Sequence, residues 1–140
     1  MTTTGTPAVD GLFTDGPDGA QLLGSRCATC NTPYFPRTTT CHHPDCTGSD
    51  VRDAHFGGRG TLWSFSVQSY PPPPPARYDE PYVPYALGVV DLDDGVRVVG
   101  RMDVEDTTTL TVGATVELVV GALCHEADGS TLTSWMFRPV

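Results

Sequence analysis

The segment RCATCNTPYFPRTTTCHHPDC, Arg26 to Cys46, holds four of the five cysteines of a 140-residue chain, paired as Cys27-x2-Cys30 and Cys41-x4-Cys46. Such a segment can be a disulfide staple, a redox centre or a metal knuckle, and each choice sets a different fold around it. An odd cysteine count fits a cross-linked scaffold poorly, and a thioredoxin-type CxxC belongs in a βαβ pattern that this chain lacks. In a C-x2-C turn two thiolates and the intervening backbone N–H groups converge on one ion, and two such turns supply the tetrahedral sulfur shell that zinc prefers. A structural zinc site at Cys27, Cys30, Cys41 and Cys46 is therefore predicted, one ion per chain. The second knuckle is two residues longer than the common spacing and contains His42 and His43, so a shell of three cysteines and one histidine is the variant, and iron is the rival metal. A shell closed by four protein ligands has no place for water; it is expected to stabilise its lobe, not to hydrolyse a substrate.

Beyond Gly57-Gly58-Arg59-Gly60 the hydrophobic pattern changes to a period of two. In TLWSFSVQSY the residues Trp63, Phe65 and Val67 alternate with Ser64, Ser66 and Gln68, which predicts a half-buried strand. The five prolines Pro71 to Pro75 cannot donate ladder hydrogen bonds, so the stretch to Pro81 reads as a stiff loop leaving the sheet. YVPYALGVVDL and GVRVVGRMDV meet across Asp93-Asp94-Gly95, a hairpin signal because Asp and Gly accept positive φ. TVELVVGAL and TLTSWMFRP pair in the same way across Ala127 to Ser130. Five turn-linked strands without a helical stripe predict an all-β chain with a small closed barrel. Upstream, GAQLLGS reads as a short strand entering the cysteine segment, and residues 1–18, rich in Thr, Gly, Pro and Asp, are expected to be a loose or extended arm. The expected division is an arm at 1–18, a metal lobe at 19–57 and a barrel at 58–140.

Charge narrows the function classes. The chain has 17 acidic residues, eight arginines and no lysine, a net charge of −9. An acidic surface repels phosphate backbones and anionic membranes, so neither nucleic acid nor a membrane is an expected partner. Lysine-based chemistry is absent. The opening MTTTGTPAVDG has no secretory pattern and no run is long and apolar enough to span a bilayer, so a cytoplasmic location is expected. Cys124 and His125 look like a nucleophile and its base, but neighbours on a strand point to opposite faces, which makes Cys124 a buried structural cysteine. His55 is isolated. Asp91, Asp93 and Asp94 read as solvated turn residues, and Trp63, Phe65, Trp135 and Phe137 as core or interface aromatics.

Taken in order, LLGSRCATC followed by YFPR, the second cysteine pair, GRGTLWSFSV, PYVPYALGVVDLDDGVRVVGRM, VGATVELVV and TLTSWMFRPV resemble a known family. It is that of the acyl-CoA-associated zinc-ribbon and OB-fold proteins, which accompany thiolase-like enzymes. The resemblance covers about residues 20–140 and implies a rubredoxin-like zinc ribbon followed by a five-stranded OB-fold barrel. Family members usually carry a helical segment before the ribbon; here AVDGLFTDGPDG is broken by glycine and proline. The implied role is a non-catalytic accessory subunit in a hetero-oligomer with a thiolase or a sterol-carrier-type thiolase or aldolase. Its barrel would help shape the acyl-CoA channel, and carbon–carbon bond cleavage or formation would occur on the partner, as in degradation of steroids or aromatic acids. Arg59, Arg77 and Arg101 are the candidates for contact with CoA, and Tyr70, Tyr78, Tyr82 and Tyr85, in and around the proline loop, for contact with the partner. The competing functions are a nucleic-acid-binding ribbon and barrel, which the charge disfavours, a rubredoxin-like electron carrier, and last a stand-alone CoA hydrolase.

Overall fold

The computed structural model describes residues 5–17, 19–46, 48 and 50–140. Among these the chain is all β, with a single 3-10 turn at Thr107–Thr109 and no α-helix. The first lobe is built around β3 (Gly19–Cys27). The strand β5 (Val51–Gly57) runs antiparallel along one of its edges, while β2 (Phe13–Gly16) and β4 (Pro33–Tyr34) share the other. The second lobe contains β6 (Arg59–Gln68), β7 (Tyr85–Leu92), β8 (Arg97–Met102), β9 (Thr115–His125) and β10 (Thr131–Pro139). In order, β6 pairs with β7, β7 with β8, β8 in parallel with β10, β10 with β9, and β9 again with β6. This is the expected closed five-strand barrel, and closure leaves few exposed edges.

The two lobes share one core. Phe13, Leu22 and Phe56 from the first lobe cluster with Leu62, Val90, Val116 and Phe137 from the barrel. Phe35 and Phe13 close the seam edge-to-face on Trp135, with ring centroids 5.4 and 6.1 Å away. Within the stretch expected to be a loose or extended arm, Phe13 is only 9% exposed and β1 (Thr6–Pro7) pairs in parallel with β10. One aromatic with an apolar seat, plus ladder bonds, is enough to order a segment whose composition reads as a linker.

Both predicted hairpins are present. In the first, Gly95 takes φ +99 and its N–H donates to the Leu92 carbonyl. Asp94 is exposed in the turn, as expected from the sequence, and it also makes a tie that the sequence did not suggest. Its carboxylate accepts the Gly57 N–H at 2.9 Å and its carbonyl accepts from Arg26 at 3.1 Å, tying the barrel to the metal lobe. Asp91 likewise is paired, with Arg97. The alternation expected in β6 also breaks at Trp63. The register slips between Leu62 and Ser64, so the extra residue turns Trp63 outward. Phe65 lies opposite Gly88, on the core side, while Trp63 is 53% exposed and stacks under Arg97, 4.1 Å away.

Gly24 shows how tightly β3 is enclosed. A Cβ there would fall on the Tyr34 carbonyl oxygen and 2.6 Å from the Phe56 ring. Gly24→Ala is expected to destabilise the chain by about 1–3 kcal/mol, as overpacking does, read as a lower urea midpoint with unchanged slope. An unchanged midpoint would mean that β3 and β5 are not packed this closely.

Candidate metal centre and aromatic face

The cysteine segment closes on itself through backbone geometry. The Cys27 carbonyl accepts the Asn31 N–H at 2.8 Å, with Asn31 in the left-handed region at φ 67, which Asn tolerates better than most residues. The Cys27 N–H donates to the Thr32 carbonyl and the Ala28 N–H to that of Asp50. The loop holding Cys41 is anchored by the Thr38 N–H on the buried Ser25 hydroxyl and by the His42 N–H on the Tyr34 hydroxyl, 2.7 Å away.

These turns bring the ligand atoms of Cys27, Cys30, Cys41 and Cys46 within 4.8 Å of one another. Sulfurs about 2.3 Å from a tetrahedral zinc lie about 3.8 Å apart. Here Cys27 and Cys46 are 3.8 Å apart and Cys30 and Cys41 3.5 Å, far beyond the length of a disulfide. The donor set thus fits one tetrahedral ion. Neither histidine joins it: the His42 ring packs edge-to-face on Tyr34, and His43 Nδ1 accepts the Asp45 N–H. Polar neighbours aim the sulfurs, with the Thr32 hydroxyl 3.1 Å from Cys30, the Tyr34 hydroxyl 3.3 Å from Cys41, and the Gly48 N–H donating to Cys46. The Thr32 hydroxyl and N–H hold the Cys30 thiol down at about 6. At Cys46 the Gly48 N–H favours the thiolate, but burial and the neighbouring sulfurs outweigh it and push the thiol up to about 12. Four clustered thiols cannot all ionise without a cation among them, and a divalent ion removes that conflict.

Elsewhere Cys124 is 2% exposed and burial pushes its thiol up, the opposite of an activated nucleophile. His125 is not its base: the Asp79 carboxylate accepts the His125 backbone N–H at 2.7 Å and meets Nδ1 at 2.8 Å. These bonds hold Asp79 below the usual carboxylate range. Together with the Arg77–Glu126 ion pair they strap the proline loop onto the β9–β10 turn, a link not visible in the sequence. His55 lies exposed on β5.

Three of the four candidate tyrosines come together. Tyr78, Tyr82 and Tyr85 form an edge-to-face chain with centroids 5.5 and 6.2 Å apart, and the Tyr82 hydroxyl donates to the Gln68 carbonyl. Tyr70 stands apart, 85% exposed. The three arginines are not brought to one place. Arg77 is spent on Glu126, Arg59 lies at the start of β6 opposite Glu117, and Arg101 stacks 4.2 Å over the Tyr85 ring. Leu87, Val89 and Val99, on the outward positions of β7 and β8, extend this aromatic surface. The signal for them was legible: an outward face open to water would alternate polar residues into YALGVVDL, and only Asp91 does so.

Two family profiles match the chain in the order of its lobes. The ChsH2 rubredoxin-like zinc ribbon domain matches residues 20–52 and the ChsH2 C-terminal OB-fold domain residues 54–121. A DUF35 domain-containing scaffold protein of Methanocaldococcus jannaschii is 26% identical over 121 residues, 85% of this chain and 82% of that protein. The benzoylsuccinyl-CoA thiolase subunit BbsA of Thauera aromatica is 29% identical over 119 residues, 85% of this chain and 76% of the subunit. Among solved structures, one described as the Ltp2-ChsH2(DUF35) aldolase superposes with a TM-score of 0.63 at 28% identity, over 85% of this chain and 84% of that one. With a four-cysteine zinc shell in the first lobe and a closed five-strand barrel in the second, the chain belongs to the ChsH2-type family of rubredoxin-like zinc-ribbon and OB-fold proteins.

Proposed function

We propose that this chain is a non-catalytic accessory subunit of a thiolase-like enzyme, a thiolase or a sterol-carrier-type thiolase or aldolase. The observation that carries the reading is the match, over 85% of the chain and through both lobes, to the protein solved as the Ltp2-ChsH2(DUF35) aldolase. The thiolase-subunit name of the Thauera aromatica relative supports it independently. The chemistry agrees: the thiol outside the metal shell is buried, the neighbouring histidine is engaged with Asp79, and the shell is closed by four sulfurs. In this reading the subunit stabilises its partner and its barrel helps form the channel for an acyl-CoA, with carbon–carbon bond cleavage or formation on the partner. Arg59, exposed and without a carboxylate partner among the described residues, is the best placed of the candidate arginines to reach a CoA phosphate. A net charge of −9 weighs against the nucleic-acid alternative. The protein is expected to act in the cytoplasm.

Co-production with a thiolase-like enzyme from the same organism should yield a stoichiometric complex with its cognate partner, and that enzyme's turnover of its CoA ester should fall at least tenfold without this chain. The isolated chain should bind CoA weakly, because its acidic field repels a polyanion. An enzyme equally soluble and active alone would remove the accessory reading.

A further inference from the structure

We infer that Arg101, stacked on Tyr85, is the anchor of the partner-binding surface and receives an aspartate or glutamate side chain of the thiolase-like subunit, beside an apolar side chain from the same segment. The inference rests on the accessory-subunit reading and deepens it.

Arg37, Arg52, Arg77, Arg97 and Arg138 each meet a carboxylate within the chain. Arg26 donates to two backbone carbonyls. Arg101 has no such partner among the described residues; its hydrogen bond is a long one, 3.5 Å, to the Leu123 carbonyl. The nearby Asp79 is already used by His125. A half-buried guanidinium with its fork unfilled, held flat against an aromatic ring, is pre-organised for a carboxylate.

Two hollows flank the Arg101–Tyr85 stack. One, of about 150 Å³, is walled by Tyr78, Tyr82 and Val83; the other, of about 190 Å³, by Leu87, Val99 and Trp135. Each is smaller than the roughly 300–1,000 Å³ of a small-molecule site and suits one inserted side chain. Tyr, Trp and Arg around such hollows are the residues in which binding energy concentrates at protein interfaces. Charge selects the occupant. CoA would bring several negative charges beside Asp79, which lines the same hollow as Arg101, and a second copy of this chain would bring a net −9. A single carboxylate on an otherwise apolar partner surface satisfies Arg101 with the least repulsion. The strapped proline loop fixes Tyr78 and Tyr82 before the partner arrives, which lowers the ordering cost of binding.

The test uses the full-length zinc-loaded chain and a thiolase-like enzyme from the same organism, and calorimetry for affinity. Arg101→Glu should weaken association about 100-fold, and Arg101→Lys about tenfold because lysine neither stacks nor forks. Val99→Arg, which fills the apolar hollow from an exposed position, serves as a second variant that leaves Arg101 intact and should also weaken binding at least tenfold. Zinc content and circular dichroism are checked for each. An unchanged affinity in both Arg101→Glu and Val99→Arg would overturn the inference while leaving the accessory role standing. So would loss of CoA binding in Arg101→Glu with protein association intact, or a concentration-dependent homodimer of the isolated chain that Arg101→Glu dissolves. If the unmodified chain does not associate with the enzyme at all, it is the accessory reading that fails.

Discussion

Cys27→Ser is expected to reduce bound zinc from about one ion per chain to a small fraction and to lower the melting temperature of the whole protein, not of one lobe. Cys27 is fully buried at the end of β3, and its sulfur lies 3.8 Å from that of Cys46. Structural zinc contributes apparent folding free energies of about 10–16 kcal/mol in small lobes, comparable to the entire stability of a domain. Losing a ligand therefore releases β3, and β3 carries Leu22 into the common core. A fall in Tm of on the order of 10 °C or more is expected, with chelation of the unmodified chain reproducing it. His42→Ala and His43→Ala should keep the metal, since neither ring belongs to the shell. Elemental analysis and thermal unfolding decide the matter: iron in place of zinc would make the centre an electron carrier's, and a metal-free variant of full stability would make it dispensable.

Phe56→Ala should destabilise the protein by about 3–5 kcal/mol, the range for a large aromatic removed from a core that cannot collapse. Phe56 is 1% exposed, lies opposite Leu22 across the β3–β5 ladder, and has the Arg26 guanidinium 5.4 Å from its ring. Its removal empties the point at which the ribbon meets the barrel, so a single unfolding transition at a lower denaturant midpoint is expected, with zinc retained in the native state. Two separated transitions would show instead that the lobes fold independently. For a chain of 140 residues the loss corresponds to roughly 10–20 °C in Tm.

Local chemistry was legible in the sequence wherever neighbours along the chain decide it. The four cysteines as candidate ligands followed from their spacing, because a knuckle is a turn of a few residues, while the exclusion of His42 and His43 from the shell came from the structure. Both barrel hairpins followed from alternation and from Asp-Gly turns. Cys124 was recognised as structural because adjacent strand residues cannot face each other. β5 was not legible: of VRDAHFG only Phe56 is buried, so the segment has no alternation to reveal it, and it is a strand because β3 offers an edge. Nor was the outward turn of Trp63, since a bulge depends on the partner strand and not on the strand that carries it.

The aromatic face shows the same division. Tyrosines around a proline run mark an exposed, stiff segment, and that much is composition. Whether those rings meet one another depends on where the loop is fastened, and the fastenings are Asp79 to His125, 46 residues apart, and Arg77 to Glu126, 49 apart. By itself the sequence determined an all-β chain with a cysteine metal knuckle and a small closed barrel, because these rest on period, spacing and turn chemistry. Only the tertiary structure decided that ribbon and barrel share one core and that Arg101, between two hollows, has no carboxylate partner among the described residues. Those properties belong to residues far apart in the chain, whose contacts exist only once loop closure has been overcome by burial of the common core.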